Sequence, residues 1–160
     1  MKLQFGKDEL VAEWIASRIP HLRGEGLGPC ITMHVVDDEH TKILGAVAFQ
    51  NHRPQYRSIE WSAAADTANW LTPKIINQIM RYPFVQLGCV RITAFIAKRN
   101  TRSRDFQERF GFKQEGTLRR QFGGDDCVIY GMLKSDWAKS PFNLERTTTT
   151  GQEQPLEMVN

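Results

Sequence analysis

No apolar run in this chain approaches the roughly 20 residues that span a bilayer. The opening residues, Met1-Lys2-Leu3-Gln4-Phe5-Gly6-Lys7-Asp8, lack the hydrophobic stretch of a secretory leader. Membrane insertion and secretion are therefore not expected. Cysteine is scarce and odd in number: Cys30, Cys89 and Cys127 are far apart and form no CxxC pair. That excludes a disulfide framework and a Cys/His zinc module, so no metal site is expected and a reduced, cytoplasmic setting is. Charge of one sign is also lacking. Twenty-one basic residues face 18 acidic ones, and a net charge of +3 does not by itself imply a nucleic-acid partner. Internal repeats are absent. What remains is an ordinary globular composition, 41% hydrophobic and 24% charged over 160 residues, enough for one domain.

Periodicity divides the chain. Leu10, Val11, Trp14, Ile15 and Ile19 recur at helical spacing from Lys7 to Arg18, and Pro20 stops that helix. Arg23 to Pro29 holds three glycines and reads as a loop. Ile31–Val36, Ile43–Phe49 and Tyr56–Ala65 read as an antiparallel meander with turns at Asp37–His40 and Asn51–Gln55. Thr72-Pro73 marks a helix start, a good N-cap followed by a proline that loses no needed N–H. Ile75, Ile76, Ile79 and Met80 then supply its buried face. Val90–Ala97 alternates as a strand, and strand, helix, strand at this spacing predicts a parallel crossover. A short helix follows Asn100 and ends at Gly111, a residue suited to a left-handed C-terminal position. Phe112–Phe122 and Cys127–Leu133 read as a hairpin around Gly123-Gly124-Asp125-Asp126. The expected division is one domain over residues 1–138 and a flexible or loosely docked tail over 139–160.

The segment Asn100-Thr101-Arg102-Ser103-Arg104-Asp105-Phe106-Gln107-Glu108-Arg109-Phe110-Gly111-Phe112, continuing into Glu115-Gly116-Thr117-Leu118-Arg119, carries the strongest signal. It resembles the GNAT pattern N-x-x-S-x-x-(apolar)-x-E-(K/R)-x-G-F-x-x-E-G-x-x-R of the N-acetyltransferases. It is most like the ribosomal-protein N-terminal acetyltransferase branch, and it is also similar to compact acetyltransferase-like proteins of phages and prophages. The resemblance covers roughly residues 7 to 137. It implies an α/β (α+β) fold: a mixed, mostly antiparallel sheet with one splayed parallel strand pair, flanked by helices. It also implies transfer of an acetyl group from acetyl-CoA to a primary amine, on a small molecule or a protein. A phage-encoded member would work in the host cytoplasm, and a homodimer is left open.

On that resemblance, acetyl-CoA lies where Tyr56–Ala65 and Val90–Ala97 splay, held by free backbone groups of Ser62, Ala63 and Ala64. Asn100, Ser103 and Gln107 then face the cofactor from the following helix, and Trp70, Thr72 and Lys74 from the preceding loop and helix start. Glu60 corresponds to the family's strand-borne base, and Ser103 is the candidate partner of the leaving thiolate.

Two departures from the family pattern accompany this. The glycine-rich pyrophosphate loop is replaced by Asp66–Lys74, which has no glycine, and Gln107 stands where a tyrosine acid is usual. They motivate a second reading, a GNAT-fold binding or regulatory module that no longer acetylates. A third, a nucleic-acid-modifying relative, draws on the basic cluster Lys98-Arg99, Arg102, Arg104, Arg109 and Arg119-Arg120. That cluster reads equally as a solvated helix face or as a seat for a phosphate-bearing ligand.

Overall fold

The computed structural model describes residues 1–146, so the 147–160 part of the expected tail lies outside the described residues. One seven-stranded sheet organises the molecule, in the order β1-β2-β3-β4-β5-β7-β6. Strand β1 (Lys2–Phe5) opens the chain, followed by helix α1 (Asp8–Ala16) and strands β2 (Cys30–Val36), β3 (Ile43–Arg53) and β4 (Ser58–Ala65). Helix α2 (Pro73–Arg81) crosses over to β5 (Arg91–Ala97), and α3 (Thr101–Phe110) leads into the hairpin β6 (Lys113–Leu118) and β7 (Cys127–Leu133). Helix α4 (Lys134–Lys139) closes the set. All neighbouring strands run antiparallel except β4 and β5.

The local signals work as their chemistry dictates. The Thr72 hydroxyl accepts from the Ile75 N–H at 3.3 Å, with Pro73 in the first turn. The Asn100 side chain accepts from the Ser103 N–H at 3.1 Å, and Gly111 ends α3 at φ 111°, where a side chain would be strained. Alternation along the strands sorts side chains to two faces. Ile59, Trp61, Ile92, Ala94, Val128 and Tyr130 meet α2 and α3 on one face. Ala46 and Ala48 meet Val11 and Ile15 of α1, and Ile19 just beyond it, on the other. The Asp8 carboxylate ties α1 to β2 by accepting from the Thr32 N–H at 2.7 Å and its hydroxyl at 2.8 Å.

Several boundaries differ from the sequence reading. β1 is too short to show a pattern of its own and forms by pairing with β2. β3 runs through the expected Asn51–Gln55 turn as far as Arg53, with a register shift between Gln50 and Arg53 and Asn51 at φ 51°. After α2 the chain widens into a π-helical turn over Tyr82–Gln86, where Pro83 lacks an N–H and Leu87 donates to the Tyr82 carbonyl at 3.0 Å. β6 stops at Leu118, short of the expected Phe122, because Arg120 turns at φ 53°. Beyond α4, Asn77 of α2 holds the chain from both sides. Its Nδ2 donates to the Phe142 carbonyl at 2.5 Å, and its Oδ1 accepts from the Leu144 N–H at 3.0 Å. The Phe142 ring stacks on Phe110 at 6.1 Å.

Candidate active site

The sheet is continuous until β4 meets β5. Those two strands pair only at Ser58↔Arg91, Ile59↔Ile92 and Glu60↔Thr93. Beyond that, β4 stays with β3 as far as Ala65↔Gly45, and β5 stays with β7 as far as Ala97↔Cys127. The facing edges, Trp61–Ala65 and Ala94–Ala97, therefore diverge into a fork with no partner strand between them. Backbone N–H and C=O groups on such edges need partners, and an amide-bearing ligand supplies them in strand-like fashion.

Trp61 sits where the fork opens. Its ring lies against Phe112 and Phe110 at 4.9 and 5.4 Å, and its Nε1–H donates to the Gln107 side-chain oxygen at 3.2 Å. Gln107 is 1% exposed, so this bond seats α3 across the fork. Gln107, expected to face the cofactor, uses its side-chain oxygen on Trp61 and is not among the residues that line the cavities.

Between the fork, the 66–72 loop and α3 lies a cavity of about 390 Å³, within the range of small-molecule sites. Ala63, Ala64 and Ala65 form its floor, and Trp70, Phe106, Phe110 and Phe142 its apolar wall. Asn100 and Ser103 border it from the start of α3. The glycine-free loop is shaped by Trp70, which stacks on Phe106 and lies over Gly45 so closely that a Cβ there would overlap the indole. Loop shape thus comes from a buried aromatic anchor and a bare glycine on the neighbouring strand. Thr72 and Lys74 do not reach the cavity: the Thr72 hydroxyl caps α2, and Lys74 is exposed to solvent.

Three arginines stand at the cavity: Arg18, Arg102 and Arg109. Arg18 grips Asp66 with two bonds, at 2.7 and 2.8 Å, and holds that carboxyl below its usual range, with Arg102 adding to the effect. Arg18 is thereby neutralised, whereas the hydrogen bonds of Arg102 and Arg109 among the described residues go to carbonyls, of Ala65 at 3.5 Å and Asp105 at 3.3 Å. Two other members of the basic cluster have structural work. Arg99 bonds the Gly124 carbonyl at 3.1 Å. Arg104 donates to the Tyr130 hydroxyl at 3.2 Å, and that hydroxyl donates to Glu108 at 2.9 Å. Tyr130 is fully buried and belongs to the core.

A second, much smaller cavity of about 10 Å³ lies at the fork, bordered by Ser62, Ala63, Phe95, Ile96, Asn100, Ser103, Ile19 and His21. It has room for about one water molecule. Ser62 and Ser103 are thus brought together, but Glu60 is not with them. Its carboxylate accepts from Asn51 Nδ2 at 2.9 Å, at the last paired position before the fork, and borders neither cavity. His21 was not singled out by the sequence, where it reads as a loop residue after Pro20. Its ring stacks on Phe122 of the β6–β7 hairpin with centroids 4.0 Å apart. That contact joins residues a hundred positions apart, which no local pattern signals.

The Acetyltransferase (GNAT) domain model matches residues 5–113, and the chain belongs to that family. The forked sheet is its fold. Among solved structures, a protein from T. thermophilus assigned to the acetyltransferases is 21% identical, with a TM-score of 0.58 over 69% of this chain and 62% of its own. Another such protein is 23% identical, with a TM-score of 0.59 over 74% and 64%. The chain therefore spans less than two thirds of the length of these two. Dodecameric spermidine N-acetyltransferase from Vibrio cholerae is 18% identical, with a TM-score of 0.67 over 86% of this chain and 96% of its own. No curated protein sequence matches the chain.

Proposed function

We propose that the protein transfers the acetyl group of acetyl-CoA to a primary amine by direct attack in a ternary complex. The observation that carries this is the fork, with its free β4 edge over Ala63–Ala65 opening into the 390 Å³ cavity. The residues present fit acetyl-CoA. The strand edge suits the amide-rich pantetheine arm, and Arg102 and Arg109 suit its phosphates. Asn100 and Ser103, at the start of α3, border both cavities and are available to the thioester end of the cofactor. Acetyl-CoA supplies the activated thioester, and a free N–H of β4 near Ser62–Ala64 would polarise its carbonyl as an oxyanion-hole donor does. Ser103 supplies a hydroxyl for the leaving sulfur in place of the family's tyrosine. Glu60, on the acceptor side of the fork, is the base that takes the proton of the cationic amine before attack, directly or through water.

The acceptor class is a primary amine. The Asn100–Arg119 motif favours a protein N-terminus through its likeness to the ribosomal-protein branch, whereas the Vibrio cholerae neighbour acts on spermidine. Calorimetry with acetyl-CoA and CoA tests the cofactor, and absence of binding at millimolar ligand overturns the proposal. Turnover with spermidine, a small alkylamine and a peptide bearing a free amino terminus then sorts the acceptors. Glu60→Gln is expected to lower turnover while leaving CoA affinity unchanged, and an unchanged rate removes Glu60 from the reaction.

A further inference from the structure

The fork contains a titratable group that family likeness did not assign. His21 follows Pro20, in a turn where Leu22 donates to the Ile19 carbonyl at 3.0 Å and Ile19 is buried with α1. On its far side the imidazole stacks nearly parallel on Phe122, with an interplanar angle of 20°. The ring is therefore fixed from both ends of the cleft mouth. It borders the same 10 Å³ cavity as Ser62 of the free β4 edge and Asn100 and Ser103 at the start of α3. Its Nδ1 is shielded from solvent and finds no hydrogen-bond partner among the described residues. A buried polar nitrogen without a partner is costly, and the residue that carries it borders a space large enough for one water.

We propose that His21 is a catalytic residue of the acetyl transfer, carrying the proton from the attacking amine to the departing sulfur; this rests on the acetyltransferase reading above. The amine nitrogen forms its bond to the acetyl carbonyl carbon, and its surplus proton passes to the His21 imidazole, directly or through one water. The carbon–sulfur bond then breaks with its electron pair on sulfur, and the imidazolium returns the proton to that thiolate. The products are an amide and a free thiol, and His21 ends neutral, as it began. This transfer follows the one Glu60 makes from the cationic amine before attack, and it supplies the acid missing at Gln107.

The surroundings keep the ring neutral before reaction. Burial pushes its pKa below 6.5, against a smaller upward pull from Glu25 on the same loop. No residue from β4, β5 or α3 bordering the small cavity is charged. On the hairpin, Asp125 and Asp126 are spent on the backbone N–H groups of Arg99 and Arg120, and Arg18 is held by Asp66.

The test uses the full chain and two readouts. In NMR titrations assigned with His21→Phe, the His21 ring is expected to titrate below 6.5 and to shift when CoA is added. The rings of His40 and His52 should not respond. With acetyl-CoA and either spermidine or a free-amino-terminal peptide, His21→Gln and His21→Phe should each lose roughly 10²-fold in turnover at unchanged CoA affinity. The acidic limb of the kcat/KM profile should vanish with them. His21→Phe keeps the stack on Phe122 and His21→Gln adds no bulk, so a loss shared by both variants at unchanged thermal stability is not a packing effect. Retained rate and pH limb in His21→Phe, or a ring that ignores bound CoA, overturns the assignment. If neither amine is acetylated, the ring's response to CoA decides. Failure of the wild type to bind CoA instead removes the acetyltransferase reading.

Discussion

Strand β4 is two structures in one. From Ser58 to Glu60 it is hydrogen-bonded on both sides, and from Trp61 to Ala65 it keeps only its β3 neighbour. The side chains change with the pairing. The closed half carries Ile59 into the core, whereas the open half ends in three alanines that bring backbone within reach of a ligand. The strands are also held by different partners, β4 by β3 and β5 by β7. Helix α3, joined to β4 by the Trp61–Gln107 bond, packs on the sheet where the pairing stops. A binding edge is thus made by withholding one set of sheet bonds and supporting both strands from elsewhere.

The largest effect is expected where the open half is most tightly shaped. Gly45→Val puts a side chain into the Trp70 indole, so the cavity wall must move. We expect a stability loss of about 1–3 kcal/mol by thermal unfolding and a loss of CoA binding by calorimetry. Ser58→Ala, in the closed half, should cost no more than about 0.5 kcal/mol and leave CoA affinity alone. Equal responses from the two variants would erase the distinction. A smaller effect is expected from Arg102→Ala with Arg109→Ala, which removes two cleft cations whose contacts are to carbonyls rather than to acids. CoA affinity should fall about tenfold, or ~1.4 kcal/mol, and the deficit should shrink as salt screens the phosphates. A double variant that binds as the parent does would place the phosphates elsewhere.

The smallest effect concerns the continuous half of the sheet. His34 on β2 is 2% exposed, and burial, helped by Lys7, pushes its pKa below 6.5. Below that value the unfolded chain takes up a proton that the folded chain refuses, so stability present above pH 6.5 is lost as the pH falls. His34→Gln should flatten the decline between about pH 7 and pH 5 in denaturant titrations, by about 1 kcal/mol or less. An unaltered slope would move the acid sensitivity to other groups, His21 among them.

Elements announced by neighbouring residues were legible in the sequence. Thr72-Pro73, Asn100 with Ser103, Gly111 and the alternation through Val90–Ala97 each satisfy a local rule, and each stands where that rule put it. The family motif added the fork, which strand spacing alone does not contain. What stayed hidden depends on partners far along the chain. Gln107 looks like any polar helix residue until Trp61 arrives beneath it. Trp70 explains a glycine-free loop only once Gly45 is seen under its ring. His21 becomes chemical only when Phe122 and the fork close around it.

The clamp of Asn77 on Phe142 and Leu144 has a consequence for the large cavity. Every other wall of the large cavity comes from residues before Phe112, and Phe142 arrives some thirty positions later. The pocket wall farthest along the chain is therefore set by the strap beyond α4, so loosening its hold on α2, as Asn77→Ala would, opens the apolar side of the cleft without touching the fork.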